Sequence, residues 1–94
     1  MAKRFSAVPV PVTVSSGAAR DVSDLTSVNL SIASVGSATY HVEVSYDGTS
    51  FVQDGANVTA DANVSIPDAA MKVRVRASVY ASGTPVGALA GIKA

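Results

Sequence analysis

Between residues 39 and 52 the chain alternates strictly, with Tyr40, Val42, Val44 and Tyr46 on one parity and Thr39, His41, Glu43 and Ser45 on the other. A period of two is that of a strand with one buried face and one wet face. Asp47-Gly48 follows, a pair that tolerates the positive φ of a tight turn, and Ser50-Phe51-Val52 leads back, so the stretch reads as a β-hairpin. A second alternation sets Met71, Val73, Val75, Ala77 and Val79 against Lys72, Arg74, Arg76, Ser78 and Tyr80 and predicts a further strand. Val28, Leu30 and Ile32 predict another, and Val86, Ala88, Ala90 and Ile92 a last one with Gly87 and Gly91 on its other face.

Val8, Val10, Val12 and Val14 also share a parity, but Pro9 and Pro11 stand between them. Proline has no amide to donate to a ladder, so this segment reads as an edge strand or an arm. Weaker runs lie around Val58 and at Val64-Ser65-Ile66, and residues 20–27 read as a connection holding a short turn. About seven strands, with turn signals roughly every 8 to 12 residues, predict an all-β fold, a small antiparallel β-sandwich or barrel. Residues 1–14 are expected to form an extended N-terminal arm or edge strand, and residues 15–94 one domain.

Composition sharpens this picture. Of 94 residues, Val and Ala supply 16 each, Leu three, and there is no Trp. Small side chains fill a thin core and bury little apolar surface, at about 25 cal/mol per Å². Oligomerisation is therefore expected. Seven basic and seven acidic side chains cancel, so no global field draws nucleic acid or an anionic membrane toward the chain. The lack of Cys removes disulfides and thiolate chemistry. Residues 5–14 carry two prolines and no uninterrupted apolar run, which argues against a signal peptide.

Candidate chemistry is sparse. His41 and Glu43, the single histidine and the single glutamate, share a strand face, but no third group is visible to orient a nucleophile, and a solvated polar face is expected. Asp47, Asp54, Asp61 and Asp68 recur every seven residues without the spacing of a calcium loop. They are expected in turns. No catalytic group, metal site or cofactor is predicted. Asn29, Asn57 and Asn63 head Asn-x-Ser/Thr triplets, which arise easily by chance in a Ser- and Thr-rich chain. Lys72, Arg74 and Arg76 form a basic ladder on one strand face, either paired across the sheet, with Glu43 or an Asp, or available to an acidic protein surface.

Residues 44–52, residues 55–64 and the run from Val73 through the Ser82-Gly83-Thr84-Pro85 turn resemble the small β-sandwich virion structural proteins of tailed bacteriophages. In that pattern a strand leads to Ser-x-Asp-Gly-x-x-aromatic, then a short strand, then a strand with a Val-Arg-Val core. The resemblance spans roughly residues 22–90. It implies a non-enzymatic capsid decoration or cement protein in the virion, made in the host cytoplasm. The implied partners are the major capsid protein or another virion protein, with a homo-oligomer, a trimer favoured, and neither nucleic acid nor membrane. Expected contact residues are Lys3, Arg4, Phe5, Val8 and Val10 of the arm, which would tether the protein to its neighbour, and Lys72, Arg74 and Arg76. The alternatives are a carbohydrate-binding module using exposed Tyr or the Asp47-Gly48 loop, a different head, neck or tail component, and an accessory domain docking through the basic ladder.

Overall fold

The computed structural model describes residues 2–93. Met1 and Ala94, the outermost positions of the expected arm and domain, lie outside the described residues. Among the described residues eight strands form two four-stranded sheets. They are β1 (Ala2–Val8), β2 (Arg20–Asp21), β3 (Leu25–Ala33), β4 (Ala38–Ser45), β5 (Val52–Gln53), β6 (Ala62–Ile66), β7 (Lys72–Tyr80) and β8 (Val86–Lys93). One sheet has the order β1-β8-β3-β6 and the other β2-β7-β4-β5, and all pairings are antiparallel. The shortest dimension of the molecule is 19 Å, room for two layers spaced about 10 Å apart and no third. The fold is a small all-β sandwich.

The core lies between the sheets. Leu30, Ile32, Tyr40, Val42, Val44, Val73 and Val75 are almost wholly buried, the inward parities that the alternation predicts for β3, β4 and β7. Two β-bulges reset that alternation. In β3, Thr26 faces Ile92 and Asn29 faces Ala90, so Ser27 and Val28 together oppose Gly91. Ser27 takes φ 52°, the left-handed conformation of a bulge residue, and its amide donates to Asp68 Oδ1 at 3.0 Å. Leu25 and Val28, three apart, consequently both enter the core. In β7, Thr39 faces Val79 and Tyr40 faces Ala77, leaving Ser78 as the extra residue. Beyond it the parity flips: Tyr80 packs against the core and Val79, expected inside, is 55% exposed.

Three further expectations need correction. The first strand is Ala2–Val8 and stops where Pro9 begins, because a run containing two prolines cannot supply the ladder donors. Residues 9–14 leave that sheet, with the Tyr40 hydroxyl donating to the Pro11 carbonyl at 2.9 Å, and residues 15–21 then run beside β7. The hairpin from β4 to β5 closes through six residues, not a two-residue turn, and Tyr46 lies outside the strand. Asp47 holds this loop: its Oδ1 accepts from the Thr49 and Ser50 amides, each at 2.8 Å, while Gly48 turns at φ 88°. In β8 the buried parity is Gly87, Leu89 and Gly91. A Cβ on Gly91 would meet Val28 and Leu25 side-chain atoms at 3.2 to 3.3 Å. The valine and alanines of β8 are thereby turned outward.

Candidate functional site

The polar outer face belongs to the β2-β7-β4-β5 sheet. Glu43 stands opposite Arg74 in the β4-β7 ladder, and His41 opposite Arg76. Arg74 Nε donates to Glu43 Oε1 at 2.8 Å and Arg76 Nε to Glu43 Oε2 at 3.1 Å, so one carboxylate holds two guanidiniums. Burial works to raise the Glu43 carboxyl, but the hydrogen bonds and charges of Arg74 and Arg76 outweigh it and hold the group below its ordinary value. The Arg74 guanidinium lies 4.0 Å from the centre of the Phe51 ring, a cation–π contact that closes the group on its β5 side.

His41 shares this face but has other partners. Its Nδ1 lies 3.1 Å from Gln53 Oε1, and its Nε2 2.7 Å from Ser78 Oγ. Gln53 Nε2 donates to the Gly55 carbonyl and to Asn57 Oδ1, which fixes the amide orientation, so Nδ1 is the donor to Gln53. His41 and Glu43 are each 8% exposed. The expected solvated face of β4 is therefore a covered one. β4 is an inner strand of its sheet, and the long side chains of β7, with Gln53 and Phe51 beside β4, lie over it.

Asp47, Asp61 and Asp68 accept from backbone amides. Asp61 Oδ1 accepts from Val35 N at 3.1 Å and Asp68 Oδ1 from Ser27 N, while Asp47 organises its own loop and is held well below the usual carboxylate range by the Ser50 and Thr49 amides. No group of three or more His, Cys, Asp or Glu side chains converges among the described residues. Of the tyrosines, Tyr40 is buried, the Tyr80 hydroxyl donates to the Gly83 carbonyl, and Tyr46 is exposed. A depression of about 540 Å³ is lined by residues 54–65, which include no Lys, Arg or His to partner Asp54 or Asp61.

The opposite face of the sandwich differs in kind. Registers place Phe5 beside Ala90, Ala7 beside Ala88, and Lys3 beside Ile92, while Asn29 and Ser31 flank Ala90 and Ala88 on the other side. Phe5 is 75% exposed and Val86 62%. Lys3 is the one charged side chain that the β1, β8, β3 and β6 registers bring to this face. Of the expected contact residues, Lys3 and Phe5 lie here. Arg4 sits on the inward parity and pairs with Asp24 at 2.8 Å. Val8 is in the core, and Val10, partly buried, packs against it. Arg74 and Arg76 are engaged by Glu43. Sequence reasoning missed the apolar stripe of Ala7, Ala88 and Ala90; the signal was Gly87 and Gly91, since glycine in a strand marks close approach on that parity.

No protein-family model, curated protein or solved structure matches the chain. No helix among the described residues is long and apolar enough to cross a membrane.

Proposed function

We propose that this protein is a non-enzymatic structural protein of a bacteriophage virion, of the capsid decoration or cement kind, which binds the major capsid protein or another virion protein and acts as a homo-oligomer. The observation that carries the reading is the division of labour between the two outer faces. His41, Glu43, Arg74 and Arg76 are bound to one another or to neighbouring side chains, whereas the β1-β8-β3-β6 face leaves Phe5 and Val86 open. Exposed apolar side chains on a sheet face suit docking on another protein. The likeness of residues 22–90 to virion sandwich proteins supplies the kind of partner.

Quantitative mass spectrometry of phage particles purified from the source of this sequence tests the proposal. The expected result is a fixed copy number relative to the major capsid protein. Presence in the infected-cell lysate with absence from particles overturns it, and binding on a glycan array would transfer the reading to a carbohydrate module presenting Tyr46.

A further inference from the structure

The four sheet edges are unequal. β2 and β5 are two residues long and β6 five, whereas β1 has seven, Ala2–Val8, with no proline among them. A long open edge offers unpaired amides and carbonyls to another strand. Arg20 Nε donates to the Ala7 carbonyl at 3.1 Å, so that carbonyl points away from β8. Because the hydrogen-bonding direction alternates along a strand, the main-chain groups of Lys3 and Phe5 point to the same open side.

We propose that β1 is a self-association site: two copies pair antiparallel through β1, with Phe5 opposite Phe5, joining two four-stranded sheets into one of eight. Of the possible two-fold registers, the one centred on Phe5 uses all seven residues of the strand. It sets Lys3 opposite Ala7 and Arg4 opposite Ser6, so no cation faces a cation. The two Lys3 side chains are then offset by about 13 Å along the strands, taking ~3.3 Å per residue, beyond the screening length of about 8 Å at physiological salt. Arg4 is already neutralised by Asp24. Centring on Arg4 would oppose two guanidiniums, and centring on Ser6 would leave Ala2 and Lys3 outside the strand-to-strand match. Ala7 keeps a second carbonyl lone pair for the incoming Lys3 amide, so Arg20 need not leave. The pairing makes the Phe5, Ala7, Ala88 and Ala90 stripes of two copies continuous. It closes with two subunits, which sets it apart from the trimer that the family resemblance implies, and it stands independently of the virion reading.

The test is sedimentation velocity of the full chain over a concentration series, with far-UV circular dichroism to verify the fold. The expected result is a reversible monomer–dimer equilibrium. Phe5→Pro removes an amide that points away from the sheet, a change an edge strand tolerates, and should weaken association by about tenfold or more. Because the two-fold sets residue 5 against itself, Phe5→Lys and Phe5→Glu should each be monomeric alone and associate when mixed. A wild-type chain that stays monomeric, a stable trimer, wild-type association by Phe5→Pro, or a Lys/Glu mixture that stays monomeric while both variants fold would each overturn the proposal.

Discussion

The two sheets of this sandwich carry opposite kinds of outer face, and the difference follows from which strand lies inside each. In one sheet the inner strands are β7 and β4, whose outward parities hold Arg74, Arg76, Glu43 and His41. These side chains are long enough to cover their own sheet and to satisfy one another. In the other, β8 is an inner strand and its inward parity is spent on Gly87 and Gly91, so its outward parity must be Val86, Ala88, Ala90 and Ile92. Short apolar side chains cannot cover a sheet. One face is thus covered mainly by its own bonded polar side chains, with Val79 its exposed apolar exception, and the other presents Phe5 and Val86 above short side chains.

The largest effect is expected on the polar face. Glu43→Ala leaves Arg74 and Arg76 close together without their counter-charge, at a cost of about 2 kcal/mol given that both guanidiniums are partly exposed. For a domain of this size that lowers Tm by about 8 to 16 °C, measurable by differential scanning calorimetry. Next comes acid. Because the folded-state carboxyl of Glu43 is held below its ordinary value, its contribution is fully present above the unfolded value of about 4.3 and is lost as pH falls through the lower folded value. The stability gap between wild type and Glu43→Gln should therefore be constant near neutrality and narrow below about pH 4 in urea titrations; a gap unchanged at low pH would remove the ion triad from the account. Phe51→Ala should cost about 0.5 to 1 kcal/mol through the lost contact with Arg74. Smallest of all, Ala88→Ser on the open face should leave the monomer within about 0.5 kcal/mol of wild type. A large loss there would mean that this face is packed against something in solution.

The strands with unbroken alternation were legible from residue order. β4 and the first part of β7 carry Tyr40, Val42, Val44, Val73 and Val75 inward, as their parity predicts. What could not be read were the bulges, since a parity change at Ser27 or Ser78 depends on how two strands meet and leaves no periodic mark. Val79 changed sides for that reason, and Leu25, expected in a connection, became a core residue of β3. β8 misled differently: apart from Leu89 its apolar side chains point outward, because Leu25 and Val28 already fill the volume above Gly91. The Arg-Glu-Arg triad was half legible. The basic ladder and the suitability of Glu43 as its cross-strand partner were visible in the spacing, but the burial of Glu43 and His41 depends on Phe51 and Gln53 arriving through a six-residue loop.

The position of β8 also sets an order of assembly. β8 follows the other described strands in sequence yet sits between β1 and β3, so β1, made before it, has no ladder partner until residues 86–93 are in place. Synthesis of some eighty intervening residues separates Phe5 from the Ala90 it will face, and contacts that distant in sequence make folding slow. During that interval β1 is a bare strand with both edges open. Whatever occupies it first, its own β8 or another molecule, is decided by a race between intramolecular closure and encounter, and crowded expression favours the latter.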